Sequence, residues 1–569
     1  MYFCGVKRLV PALLLFVLCG CTTNPGRTAP PPEQPHGFQV TYAAGTVAGP
    51  APEAPGAVRG GVITQLSPSD FQSLDPAQMN VDNEFVAGEL LFRTLTGTRT
   101  TASGDLEVVG DLATDAGRSG DNARTWTYTL RDGVRYADGR PITSRDIAYA
   151  IGRGFDPKLP LGRRVLQQWL AGRDDYPTAY QGGPTPPGVR TPDDRTIVFT
   201  FDRPRPDLPF VATQTVTAPV PADRDTKERY GTRPVASGPY QVDSYTQGEK
   251  LVLKRNPAWD ANTDPLRHQY PDGFEFVAGL SPAAISQRLV ADQGPDQTAT
   301  TWSSVTPELL PQVVDHPDVA RRVTEGPTAN VQYLYINTKR VTDLNARKAL
   351  NHAIDRDSFV KAMGGPAIAT PATTLLSPVT PGYQAYNAYE GGPDKARELL
   401  QGIKAAPLTL ATANTPTSQR RAVAIKTALE RAGFLITLQP VDPQYYYATV
   451  SKKENPYDLV LAGYSGLWPD GSLTLQSQFG ELRDGGDNLS QFDVPAITAR
   501  MAQLAAEPDH TKAVAGWARL DHDIMAEQAP VVPLTYIRSY TLSGSKVGGI
   551  SLSRTLNLPS LRDAYVRGS

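Results

Sequence analysis

Apolar and polar positions alternate most clearly where the chain reads WTYTLRDGVRYADGRPITSRDIAYAI, from Trp126 to Ile151. Trp126, Tyr128 and Leu130 interleave with Thr127, Thr129 and Arg131, the two-residue period of a half-buried strand. Asp132-Gly133 predicts a tight two-residue hairpin turn into a second strand, because both residues tolerate positive φ. Asp138-Gly139 and Pro141 then punctuate the chain. Thr143, followed three residues later by Asp146, predicts a capping box opening a helix over Ile147–Ile151.

The same patterning places elements along the rest of the chain. Gly60 to Thr64 predicts a strand, and a loop at Ser73-Leu74-Asp75-Pro76-Ala77-Gln78 leads to a helix through Phe85, Leu90 and Leu91. Thr196 to Phe201 is a strand of a satellite subdomain that extends to about Asp225. Leu251 and Leu253 alternate with Val252 and Lys254 until Asn256-Pro257 ends that strand. Two strand–helix–strand units follow. In the first, a strand at Phe274–Ala278 leads to a helix opened by Ser281-Pro282, and a strand at Gln297–Thr301 ends at Trp302. In the second, a strand at Leu408–Ala411 leads to a helix marked by Ala422, Ile425, Leu429 and Ala432, stopped by Gly433, and Phe434–Leu438 returns. Tyr457 to Gly463 is nearly continuous in apolar residues, which suits a parallel strand buried on both faces. The pattern predicts an α/β protein with at least two sheets.

With 569 residues, the chain exceeds one hydrophobic core and implies two or three domains. A net charge of -2 excludes a nucleic-acid-binding surface, which needs a basic excess. The three cysteines, Cys4, Cys19 and Cys21, all lie near the start, so no disulfide framework or cysteine-rich metal site is available further on. Lys7 and Arg8 precede a short apolar run from Leu9 to Leu18, too short to span a bilayer. Leu18-Cys19-Gly20-Cys21 resembles a bacterial lipobox, with cleavage before Cys21 and lipid chains on it as a membrane anchor. Residues 22–57, rich in Pro, Gly, Ala and Thr, read as a flexible tether.

Candidate enzyme chemistry is sparse. None of the six histidines is paired at metal-ligand spacing on a helix, and no HExxH is present. Gly463-Tyr464-Ser465-Gly466 falls one residue short of a nucleophile elbow. Asp521-His522-Asp523 reads as the solvated face of a surface helix. No catalytic residue, metal or cofactor is expected.

The wording of Trp126–Ile151 closely resembles the signature of the family-5 extracellular solute-binding proteins of ABC importers, the dipeptide-, oligopeptide- and nickel-binding lipoproteins. Similar matches are the Gly60-Gly61 strand with its Leu-Asp-Pro-Ala loop, Arg233 to Tyr240 with Lys250 to Pro257, Ala346 to Asp357, and Glu527 to Leu534. They span roughly residues 60 to 540. The resemblance implies a two-lobed, class II periplasmic-binding-protein-like α/β fold with an extra α+β subdomain inserted in the first lobe. It implies the first lobe at 58–100, the insert at 101–225, more of the first lobe at 226–328, the second lobe at 329–530, and a return to the first at 531–569. Hinge crossings fall near Ala329–Tyr335 and Ala529–Tyr536. The implied partners are a small-molecule or peptide ligand, the permease subunits of an ABC importer, and the membrane through the lipid anchor. The alternatives are a surface-anchored secreted hydrolase, and a signalling receptor for an extracellular peptide on the same fold.

In open α/β sheets ligands bind outside the carboxyl ends of strands. That rule selects Trp302 and the loop Tyr464-Ser465-Gly466-Leu467-Trp468-Pro469-Asp470. The resemblance places ligand contacts in the second, and Gln78 and Asn80 in the Leu-Asp-Pro loop complete the candidate set. Trp302 and Trp468 also suit a lobe interface or core. In the peptide-binding members an aspartate in this loop pairs with the peptide's α-amino group. Leu467 stands at that position here, and a leucine cannot offer a charge-assisted bond. Either Asp470 substitutes for it, or the ligand is not a peptide with a free amino terminus. Modified peptides, oligosaccharides and other medium-sized solutes then become candidates.

Overall fold

The computed structural model describes residues 38–568, apart from 404, 405 and 467. The signal segment, Cys21, the first part of the expected tether and Leu467 lie outside the described residues.

Two sheets carry the two lobes. The first-lobe sheet has five strands in the order Ala299–Thr301, Val62–Leu66, Gly273–Val277, Lys250–Arg255, Tyr240–Thr246. The second-lobe sheet has six, in the order Ala369–Pro371, Val531–Leu542, Val323–Ile336, Leu459–Tyr464, Pro407–Ala413, Leu435–Val441. Leu459–Tyr464 is buried as its apolar run predicts, but its pairing is mixed. It runs parallel to Pro407–Ala413 on one side and antiparallel to Val323–Ile336 on the other.

Two long antiparallel strands connect the lobes. Val323–Ile336 pairs with Val531–Leu542, and the register breaks between Pro327 and Val331. On one side of the break Val323 and Leu542 pack in the first-lobe cluster with Leu66. On the other, Tyr333 and Val531 pack in the second-lobe core. Residues 531–536, expected to have returned to the first lobe, therefore still pair within the second-lobe sheet.

The insert is built on a four-stranded sheet ordered Arg118–Gly120, Thr125–Thr129, Thr196–Thr200, Val189–Arg190. Trp126, Tyr128 and Leu130 face its core, as their alternation predicts. The hairpin expected at Asp132-Gly133 does not form. Gly133 has positive φ, but Thr125–Thr129 pairs with Arg118–Gly120 and Thr196–Thr200, and only an isolated bridge joins Arg135 to Pro141. A short hairpin with Arg118–Gly120 on one edge and the distant strand Thr196–Thr200 on the other outcompete the expected partner, because together they pair both edges of the strand. The helix Ser144–Arg153 opens as expected, the Asp146 carboxylate accepting from Thr143 N at 2.8 Å and Thr143 Oγ1 at 2.9 Å.

Residues 38–57 are not a free tether. Val40–Tyr42 pairs in parallel with Leu106–Gly110, and Phe38 and Val40 enter the insert's core. Further along, His268 faces the Ala51 carbonyl at 3.2 Å, and Ala54 N donates to the Tyr270 hydroxyl at 3.0 Å. Apolar Phe38 and Val40, diluted among Pro and Gly, find partners only in tertiary structure.

Candidate functional site

The Leu-Asp-Pro loop is anchored from the insert. Asp75, fully buried, accepts two hydrogen bonds from Arg153 at the end of the helix Ser144–Arg153, at 2.7 and 2.9 Å. The same guanidinium reaches Asp225 at 3.0 Å and lies over the Tyr230 ring. This network fixes the loop carrying Gln78, which is buried, and Asn80, which is exposed. Glu84 reinforces it, accepting from Asn80 N at 2.6 Å.

The second-lobe loop meets this arrangement from the other side. Tyr464 ends the strand Leu459–Tyr464, half-buried, its hydroxyl 3.4 Å from the Leu473 carbonyl. Trp468 is only 1% exposed and belongs to the same apolar cluster as Trp126, Tyr128 and Ile147 of the insert. Its ring stacks on Phe210 of the insert at 6.4 Å and 8°, and its Nε1 has no hydrogen-bond partner among the described residues. A second-lobe side chain thus sits in the core of the first lobe's subdomain.

Asp470 caps the helix Gly471–Phe479, its Oδ1 accepting from Ser472 N at 2.6 Å. The Ser472 hydroxyl accepts from Gln476 Nε2 at 2.8 Å and lies beside Asp207 of the insert, so carboxylates of the two lobes approach one serine. Burial, then the neighbouring Asp207, raises the pKa of Asp470 well above the usual carboxylate range. Burial likewise raises that of Asp207, against the opposing influence of the Ser472 hydroxyl and Arg205. Tyr42 closes the cluster, edge-on to Phe210 at 5.9 Å and to second-lobe His510 at 5.7 Å.

Beside these residues lies a cavity of about 580 Å³, walled by Trp169, Arg205 and Asp207 from the insert and by Trp468, Ser472 and Asp487 from the second lobe. That volume is within the range of small-molecule sites. A smaller void of about 20 Å³, also bordered by Trp468, is lined by Ala77, Phe85, Arg163 and Val165.

Of the candidates, the fold brings together Tyr464, Trp468, Asp470 and, through Arg163, Asn80. Trp302 stays apart. It is half-buried against the first-lobe core, its Nε1 3.3 Å from Ser67 Oγ, and it lines neither void. Sequence reasoning misses Arg163, Asp207 and Phe210, because the strand-end rule selects residues of the two lobes and the pattern marks the insert only as a satellite subdomain. Asp521 is also corrected. It is 1% exposed, not a solvated surface group, and accepts from Leu375 N, Leu376 N and the Tyr386 hydroxyl. Burial pushes its pKa up to about 6. Among the described residues no group of His, Cys, Asp and Glu could hold a metal ion, and no helix is long and apolar enough to cross a membrane.

The two-lobed α/β fold with a crevice between the lobes is the architecture of the family-5 binding proteins it resembles. The chain belongs to the bacterial extracellular solute-binding proteins, family 5, whose model matches residues 107–486. It is 24% identical to the periplasmic oligopeptide-binding protein OppA of Escherichia coli over 523 residues, 88% of this chain and 91% of that one. Among solved structures, clavulanic acid biosynthesis oligopeptide binding protein 2 superposes with a TM-score of 0.84 and 26% identity, covering 92% of this chain and 99% of that one. The murein tripeptide binding protein MppA of Escherichia coli shares the fold, with a TM-score of 0.72 and 23% identity, covering 90% of this chain and 100% of that one.

Proposed function

We propose that the protein is a lipid-anchored, extracytoplasmic binding protein that delivers a peptide or another medium-sized solute to an ABC importer. The observation that carries this is Trp468. A side chain of one lobe seated against Phe210 of the other, beside a cavity of about 580 Å³, couples lobe closure to occupancy of the crevice. Peptide is the favoured solute because OppA and MppA are named for binding peptides. Cys21 provides the anchor through its lipobox-like setting.

The test is mass spectrometry of the solute co-purifying with the protein from its native membrane. A peptide supports the reading, and a sugar or metal chelate refutes the peptide assignment. In parallel, Cys21→Ser should release the protein from the membrane fraction; retention there would refute the lipid anchor.

A further inference from the structure

The insert places at the crevice an arginine that has no carboxylate partner among the described residues. Its position follows from Gly162, whose backbone lies so close to the Ala77 carbonyl that any Cβ would collide with that oxygen. Close approach, rather than an unusual φ, is what requires glycine there. The contact presses residue 163 against the loop that Asp75 and Arg153 hold. Arg163 Nε donates to Asn80 Oδ1 at 3.1 Å, and the guanidinium lies over the Phe85 ring at 5.4 Å.

Only Nε is used. Among the described residues the two Nη groups make no hydrogen bond, and the side chain forms no ion pair. Three groups act on its charge from both sides of the crevice without pairing with it: Tyr464 and Asp487 of the second lobe and Asp82 of the first. Desolvation by the surrounding walls outweighs all three and lowers the arginine's pKa. The side chain nevertheless remains open to solvent. Neighbouring Val165 and Trp468 line both the void beside Arg163 and the larger cavity.

A guanidinium fixed at Nε, with both Nη groups open, offers the planar fork that a carboxylate fills. We propose that Arg163 is a specificity-determining residue that receives a carboxylate of the bound solute from the first-lobe side of the crevice. This rests on the reading that a peptide or similar solute binds beside Trp468. Asp82 and Asp487 flank the position and disfavour a second carboxylate next to the first. The carboxylate is either a peptide's terminus or an acidic side chain.

The experiment uses the immobilised full-length protein and a tryptic digest of serum albumin, either native or methyl-esterified at its carboxylates. Wild type should capture the esterified digest about tenfold less, as expected for loss of a charge-assisted bond. Arg163→Gln should lose the discrimination, and Arg163→Lys, which keeps the charge without the fork, should keep part of it. Equal capture of both digests by wild type, or discrimination preserved in R163Q, overturns the inference alone. Capture of neither digest by wild type refutes the peptide reading itself, and the inference with it. Tetra-alanine amide and Ala-Ala-Glu-Ala amide separate the two sources. Binding of the second alone identifies an acidic side chain, and binding of neither, with free tetra-alanine bound, identifies the terminus.

Discussion

Arg153 and Asp75 form a fully buried, two-pronged ion pair that ties the inserted subdomain to the loop at the lip of the crevice, with nitrogen–oxygen distances of 2.7 and 2.9 Å. Asp225 shares the guanidinium and is held in turn by the Tyr149 and Tyr180 hydroxyls. Removing the cation leaves two buried carboxylates without a counter-charge. Arg153→Met should therefore destabilise the protein by about 3–5 kcal/mol. Urea denaturation measures it, and a loss under about 1 kcal/mol would show that the pair adds little beyond a surface bridge.

Trp468 reports on closure. Trp468→Ala removes its stack on Phe210 and should cost stability, since truncating a buried aromatic costs about 3–5 kcal/mol. Because the contact joins the lobes, part of that loss should appear as a more open protein in small-angle scattering and as weaker solute binding. Phe210→Ala should do the same from the opposite wall. Lowered melting with unchanged binding and scattering would make Trp468 a packing residue only.

Asp207 of the insert and Asp470 of the second lobe lie close enough for the charge on Asp207 to act on Asp470, and burial raises both pKa values. The folded state therefore holds protons above the unfolded value of 3.8, and stability falls as pH rises through the folded pKa values. Asp207→Asn removes one charge. It should raise the melting temperature at pH 7 relative to wild type and flatten its decline above pH 5. An unchanged pH profile would show that the two carboxylates do not interact.

His268 holds residues 51–54 to the body with the opposite sign. Its Nδ1 lies 2.6 Å from Asp563 Oδ1 and its Nε2 3.2 Å from the Ala51 carbonyl, both acceptors, so the doubly protonated ring satisfies both. Burial works to lower its pKa, but Asp563, the Ala51 carbonyl and Glu53 together raise it above 6.5. The His268 contribution to the docking is therefore fully present below pH 6.5 and is lost as pH rises through the folded pKa. Hydrogen exchange at Ala51 and Ala54, corrected for intrinsic rates, should lose protection with rising pH in wild type. In His268→Gln that dependence should vanish.

Gly162→Ala tests the positioning of Arg163. The added methyl meets the Ala77 carbonyl, so the segment must shift, at about 1–3 kcal/mol. Solute binding should weaken along with stability. Unchanged binding would separate the position of residue 163 from recognition.

Local physics made much of the fold legible. Thr143 and Asp146 cap the helix as their spacing predicts, and Gly433, with φ of 98°, follows the helix Pro416–Arg431. The glycine before Pro239 also has a tertiary reason. A Cβ on Gly238 would strike the Leu90 carbonyl, and its amide donates to Leu91 O at 2.8 Å, packing the strand's start on a helix end. Pairing was less legible. Thr125–Thr129 ignores the Asp132-Gly133 turn for partners up to about 70 residues away, because edge burial outweighs local turn preference.

The site divided the same way. Tyr464, Trp468 and Asp470 follow from one rule about strand ends, which needs only the order of elements. Nothing along the chain connects them to Phe210, Asp207 or Arg163, more than 250 residues earlier. The sequence by itself determined the family, most strands and helices of each lobe, and the strand-end loop proposed to meet the solute, because these rest on contacts between near neighbours and on wording. Only the tertiary structure decided that the insert forms the opposite wall and that Trp468 is buried in it. Those features depend on how two lobes close over one another, an arrangement set by shape and burial across the whole fold.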